Sequence, residues 1–314
     1  MATTTPPIPT RSFLGKLGGL SDSFLHHRSL AGGRLGAALR FVHWQVGKAI
    51  GARRALVRVG PIRFYCYPGN ASASAAWYFG LPEWDEMTFL LRYLRDGDWF
   101  IDVGANIGIY TLLAASRGPG VRVTAIEPDS ETFTRLGENV ELNRFSNVGL
   151  ISAAVGGAEG TAVFTVGRDT ENRLARAGES QVATLPMTTL DRVAGADRPA
   201  LIKIDVEGSE LSVLQGARDI LKSEPGPALF FEINNSCFAA GYTPRDIASF
   251  LGEHRYSLHE YDAEKNMLRA YDAATLPRSG NVIATKDADA LMRRLASNEN
   301  GAALSSEIAA HLEW

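Results

Sequence analysis

FIDVGANIGIY, residues 100–110, reads as an apolar strand, a glycine turn and the first turn of a helix. This is the opening unit of an alternating β/α sheet, and in such sheets ligands sit at the carboxyl ends of the strands. The following strand, near 121–126, runs into AIEPD, so that Glu127 comes 23 residues after Gly104. An acid about 20 residues beyond the first glycine is placed to hold ribose hydroxyls. A nicotinamide site wants G-x-G-x-x-G, but Asn106 and Ile109 occupy the second and third glycine positions. No Gly-Lys-Ser/Thr occurs here to make a phosphate loop either. An adenosine ligand without phosphates is left, and S-adenosylmethionine fits. Its carboxylate is expected on backbone N–H groups around Ala105 to Gly108, at a helix start. Its cationic end is expected to face Asp102 and Asp205.

Working outward, strands are expected at 99–103, 121–126, 148–155, 161–166, 200–205, 227–233, 255–260 and 279–285. Helices are expected at 106–117, 130–143, 208–222 and 243–253. ALIKID and ALFFEI are largely apolar, as strands covered on both faces should be. Before this core, Leu35, Leu39, Val42 and Val46 recur at helical spacing and predict a helix over 34–50 with those residues as its apolar face. Two β-rich runs around Gly60-Pro61 predict a hairpin. A third helix is expected in PEWDEMTFLLRYLRDGD, burying Met87, Leu90, Leu91 and Leu94 and stopped by Gly97. The organisation expected is a leader and helix (1–54), a hairpin and helix (55–98), a cofactor-binding core (99–286) and a helical tail (287–314).

Composition narrows the function classes. The chain has 314 residues, 45% of them hydrophobic, enough for a core without disulfides or metals. A net charge of -3 argues against a nucleic-acid partner. Cys66 and Cys237 lie far apart, outside any CxxC spacing. No apolar run is long enough to span a membrane, and the start, MATTTPPIPT, lacks the pattern of a signal peptide. A cytoplasmic protein with no membrane partner is expected.

FIDVGANIGIYT, AIEPD, LIKIDVEGSELSVLQGA and ALFFEIN, in that order, resemble the FkbM family of S-adenosylmethionine-dependent methyltransferases. The resemblance covers roughly residues 80 to 260. It implies a class I methyltransferase (Rossmann-like) fold, a seven-stranded mostly parallel sheet with helices on both faces, here with an N-terminal helical and hairpin extension. It also implies O-methylation of a sugar or natural product.

The expected cofactor-binding residues are Asp102, Gly104, Ala105, Asn106, Gly108, Glu127, Ala154 and Asp205. Asn106 either bonds its own turn or faces the cofactor. A hydroxyl acceptor needs its proton taken up in an otherwise positional in-line transfer, and Asp205, Glu207 and Glu232 are the candidate catalytic carboxylates. Glu210 reads as a charge placed at a helix start. His254 and His259 read as surface residues. A competing account makes Asp205, Glu232, Asn234 and Asn235 a Mg²⁺ set of hard oxygen ligands; the expectation is that no metal is bound.

The acceptor is expected to be a small molecule or carbohydrate, not a nucleic acid, because Asp205-Val206-Glu207-Gly208 stands where an N-methyltransferase of nucleic acids carries Asn/Asp-Pro-Pro-aromatic. Trp77, Tyr78, Phe79 and Trp84 read as core packing or as platforms for a sugar ring. GRDTENRLARAGES, starting at residue 167, reads as a surface loop or a lid.

Overall fold

The computed structural model describes residues 33–165, 180–234, 236–271 and 280–298, with Ala175, Leu276 and a few positions from 301 to 308. Most of the leader, the polar stretch from 167, Asn235 and much of the tail lie outside the described residues.

Helix α1 (Gly33–Ala49) leads to the hairpin β1 (Ala55–Val59) and β2 (Ile62–Cys66), then to α2 (Ala71–Phe79) and α3 (Trp84–Tyr93). The core begins with β3 (Trp99–Val103), α4 (Ile109–Ala115), β4 (Arg122–Ile126), α5 (Ser130–Asn143) and β5 (Val148–Ile151). A side sheet follows from β6 (Ala154–Val155), β7 (Gly160–Thr165) and β8 (Val182–Thr188). Then come α6 (Leu190–Ala194), β9 (Leu201–Ile204), α7 (Glu210–Gln215), α8 (Arg218–Lys222), β10 (Ala228–Ile233) and α9 (Ser236–Ala239). The last elements are α10 (Pro244–Glu253), β11 (Ser257–Asp262), β12 (Met267–Ala270), β13 (Gly280–Thr285) and α11 (Ala288–Ala296).

The main sheet runs β12-β11-β13-β10-β9-β3-β4-β5. From β10 to β5 every pairing is parallel; β13 is antiparallel to both β10 and β11. Seven strands therefore form the mostly parallel sheet expected from the sequence, and β12 adds an eighth at the edge as the hairpin partner of β11. Successive side chains on a strand point to opposite faces, which feeds two cores. Phe100, Leu201 and Phe230 pack on one side; Ile101, Ile202, Leu229 and Phe231 pack on the other.

Several sequence expectations shift. The strand expected over 148–155 breaks after Ile151, and β6 leaves for the side sheet, where it pairs with β8. Strand β8 was not anticipated because Pro186 interrupts its pattern; it lies opposite Thr161. The helix expected over 208–222 is two helices, because Gly216 passes so near the Gly156 carbonyl that a Cβ would stand 2.1 Å from its oxygen. Gly97 does not stop α3, which ends at Tyr93; it turns the chain with φ 89°. The hairpin has the expected place, with Val59 paired to Ile62 across Gly60-Pro61. Met87, Leu90, Leu91 and Leu94 are all buried.

Helix α1 is where its period places it, but turned the other way. Ala37, Arg40 and Trp44 face the protein, and Leu35, Leu39, Val42 and Val46 are exposed. Spacing identifies a stripe without saying which side meets the core. Here Trp44 is drawn inward against Trp77 at 5.2 Å between ring centres.

Candidate active site

The turn after β3 is built from backbone contacts. Gly104 adopts φ 75°, and a Cβ there would lie 1.9 Å from the backbone oxygen of Asp205. The two sequence motifs therefore touch through their main chains, with no room for a side chain between them. Gly108 caps α4 with φ 94°, and a Cβ would lie 2.4 Å from Leu136 Cδ1.

Every N–H from Gly104 to Gly108 is engaged within the protein. Gly104 and Ala105 both donate to the Ile126 carbonyl at 3.0 Å, and Gly108 donates to the Ala105 carbonyl at 2.9 Å. Asn106 N–H donates to Glu127 Oε2 at 2.9 Å, and Ile107 N–H to Asn106 Oδ1 at 2.8 Å. The expected cradle of turn N–H groups for a ligand carboxylate is thus taken up internally. Asn106 also accepts from Asn70 Nδ2 at 3.2 Å, tying the turn to the N-cap of α2.

A cavity of about 360 Å³ lies over these turns at the carboxyl ends of β3, β4, β9 and β10. Gly104, Ala105, Asn106, Glu127, Ala154, Asp205, Glu207 and Glu232 all reach its wall, so the structure gathers most of the sequence-expected residues. Two do not reach it. Gly108 faces α5, and Asp102 is completely buried behind the wall.

Asp102 is held by a group that was not singled out in the sequence. Lys203, in ALIKID, is buried with its Nζ 2.9 Å from Asp205 Oδ2 and 3.7 Å from Asp102 Oδ1. Burial works against the Lys203 charge, but Asp205 and Asp102 outweigh it and raise its pKa. Asp102 accepts from the Thr111 hydroxyl at 2.7 Å, and its other oxygen has no hydrogen bond. Burial raises the Asp102 pKa, opposed chiefly by Lys203. A lysine inside an otherwise apolar strand was the available signal, since such a charge is rarely buried without a partner.

The wall is acidic. Among the described residues, Glu83, Glu127, Asp205, Glu207 and Glu232 line it, with Lys203 as the basic group. Glu127 uses one oxygen on Asn106 and the other on the Asp129 N–H, at 2.9 Å each; burial pushes its pKa up to about 7. Glu207, with φ 51°, is also pushed up to about 7, by burial first and then by Asp205 and Glu232. Burial, then Asp205, raises Glu232 as well. Asn234 bridges the last two, donating to Glu207 Oε2 at 3.2 Å and to Glu232 Oε2 at 3.4 Å. Asp205, Glu207 and Glu232 can each present an oxygen within 4.8 Å of the others, a spacing compatible with one cation.

The far wall comes from the extension. Ala71, Ser72 and Ala75 on α2, with Glu83 and Met87, close the cavity opposite the strand ends. The Tyr110 hydroxyl donates to Glu83 on this wall. Trp77, Tyr78 and Phe79 are buried in the core. Glu210 is structural, accepting from Gly208 N–H at 3.0 Å and from the Tyr242 hydroxyl at 2.5 Å. Neither histidine lines the cavity, and His259 is buried in β11 beside Ser257 rather than on the surface.

Residues 102–258 match the model of the methyltransferase FkbM domain. The chain belongs to the FkbM methyltransferase family. This FkbM methyltransferase is 28% identical over 178 residues to the hexuronic acid methyltransferase AglP of Haloferax volcanii, covering 56% of this chain and 70% of that protein. It is 27% identical over 149 residues to Methyltransferase 1 of Beauveria bassiana, covering 40% of this chain and 60% of that one. Among solved structures, the precorrin-6y C5,15-methyltransferase of Geobacter metallireducens aligns at a TM-score of 0.38 and 15% identity, over 64% of this chain and 86% of that one.

Proposed function

We propose that this methyltransferase uses S-adenosylmethionine to methylate a hydroxyl of a small neutral sugar or natural product. The carrying observation is the cavity at the strand ends, lined among the described residues by five carboxyl side chains and one ammonium. Its volume suits a nucleoside-sized ligand with room for a small acceptor. Its surplus of carboxylates suits a sulfonium, which supplies an activated methyl group when bound. Glu127 is the residue for the ribose hydroxyls, and Ala154 with Val155 forms the apolar seat for a base. With the turn N–H groups engaged, side-chain donors on the wall such as Ser72, Ser209, Lys203 and the Asn106 amide are left for the ligand's carboxylate.

The acceptor side follows from charge. A uronate would bring a further negative charge to the acidic wall, so a neutral hydroxyl is favoured although one relative is named for hexuronic acid. Asp205 shares its charge with Lys203. Glu207, raised to about 7, is better matched to take a hydroxyl proton near neutral pH. A second reading has the 4.8 Å grouping of Asp205, Glu207 and Glu232 holding a divalent cation that orients the acceptor.

The test is incubation with S-adenosylmethionine and a panel of neutral sugars, uronates and amines, with the added methyl located by mass spectrometry. Transfer to oxygen of a neutral acceptor supports the reading; a methyl on a carboxylate, nitrogen or carbon overturns it.

A further inference from the structure

We propose that α1 docks this enzyme on the surface of an anionic lipid bilayer. No described helix is long and apolar enough to cross a membrane; the inference concerns a helix lying flat on one.

A solvent-facing helix normally turns its charges outward and its apolar stripe inward. Helix α1 departs from this: it buries Ala37 and Trp44, yet it also turns an apolar stripe to solvent and an arginine inward. Leu35 is 74% exposed, Val42 55% and Val46 54%, in line with Leu39 and with Ile50 just beyond the helix end. On the opposite face Arg40 points inward, its guanidinium donating to the Tyr78 carbonyl at 2.7 Å. The outward stripe from Leu35 to Val46 runs about 17 Å along the 17-residue helix.

Charge selects the occupant. Between Asp22 and Glu83 the sequence holds seven arginines and one lysine and no acidic residue. Arg34, Arg53 and Arg54 are exposed beside the two ends of the stripe. An apolar face flanked by basic residues is the composition of an interfacial helix attracted to anionic lipid. A second copy would set Arg34 and Arg53 of one chain against those of the other, Arg54 being already held by Glu138 at 3.4 Å. The preceding segment is net cationic itself, with Arg11, Lys16 and Arg28 against Asp22 alone. A nucleic acid would leave the apolar centre of the stripe unused. Helix α2 packs on α1 and carries Ala71, Ser72 and Ala75 to the cavity, so a bilayer on α1 would lie one helix away from the acceptor wall.

The experiment is flotation of the full chain with phosphatidylcholine vesicles, with and without phosphatidylserine, at low and high salt. It reads partition and needs no turnover. Partition into the phosphatidylserine vesicles, weakened by salt, is expected. Leu39→Asp with Val42→Asp should lower it at least ~tenfold, with an unchanged circular dichroism spectrum because both residues face outward. If that variant misfolds, Arg34→Glu with Arg53→Glu decides, with an expected loss of at least ~fivefold per charge. No partition at low salt overturns the proposal, as does partition that neither variant changes. A dimer split by the aspartates, without lipid binding, would assign the stripe to contact between copies. Retention on tRNA but not on vesicles would assign the basic run to nucleic acid. Either result also overturns the proposal.

Discussion

Replacing Lys203 by Met tests how the acidic cavity holds together. Lys203 is nearly inaccessible and stands between Asp102, completely buried, and Asp205. Methionine keeps the length and apolar stem of the side chain and removes only the ammonium. Asp102 then retains the Thr111 hydroxyl and nothing cationic. Breaking a buried ion pair from one side costs about 3–5 kcal/mol. At roughly 2–4 °C per kcal/mol in domains of 150–250 residues, the melting temperature should fall by about 6–20 °C. The loss should depend on pH. The Asp102 pKa, already above its ordinary 3.8, rises further once the ammonium is gone. A carboxyl whose folded pKa exceeds its unfolded one contributes stability below the unfolded value and loses it as pH rises through the folded value. The deficit of Lys203→Met should thus be largest near pH 8 and shrink toward pH 4. Adding Asp102→Asn should recover much of it, since the fully buried position then carries no charge, and Asp205, which also loses the ammonium, is partly exposed to water. Urea denaturation of parent, single and double variants across that range is the assay. A single variant within about 1 kcal/mol of the parent at pH 8, or a double variant no better than the single, would refute the reasoning.

Glu127→Ala should weaken binding of S-adenosylhomocysteine in calorimetry by at least ~tenfold, since hydrogen bonds to a charged acceptor are worth ~1.5–3 kcal/mol each; equal affinity would remove Glu127 from the site. Gly104→Ala should lose both cofactor binding and stability, because its Cβ would meet the Asp205 carbonyl at 1.9 Å; a variant that melts and binds like the parent would contradict that contact. If Glu207 takes the proton, turnover at saturating cofactor should rise with pH through about 7 and lose that step in Glu207→Gln, with a ~10²–10⁴-fold loss of rate. Turnover should also survive EDTA; loss restored by Mg²⁺ would favour the cation reading of Asp205, Glu207 and Glu232.

The parallel core was readable because its strands are apolar and each ends in a turn of distinctive chemistry. Asp102, Glu127 and Asp205 stand at those ends, and all but Asp102 reach the cavity. Local pattern carries no information about burial depth, which is why Asp102 reads as a ligand contact and is instead sealed behind Lys203. The turn N–H groups read as a ligand's because a helix start offers free donors in general; the Ile126 carbonyl and Glu127 claim three of them here, and Asn106 Oδ1 and the Ala105 carbonyl claim the other two. Helix α2 escaped notice although Asn70 caps it by accepting from Ala73 N–H at 2.7 Å. An Asn before ASASAAWYF was a usable signal. Its place as a cavity wall depends on packing that no local spacing encodes.

The backbone contact between Gly104 and Asp205 also bears on when the enzyme acquires its site during synthesis. The two residues lie about a hundred positions apart, and closing so distant a contact is slow and late. A ribosome that has released residues 99–143 has made the glycine turn, Glu127 and the helix after it, yet the turn still lacks the strand end against which it closes. Until LIKIDVEG has left the exit tunnel and β9 has docked beside β3, the nascent chain has neither Lys203 to neutralise Asp102 nor the floor of the cavity. A stalled chain ending before residue 201 should therefore be captured by chaperones and ignored by an S-adenosylhomocysteine resin, whereas one extended past β10 should be retained by it.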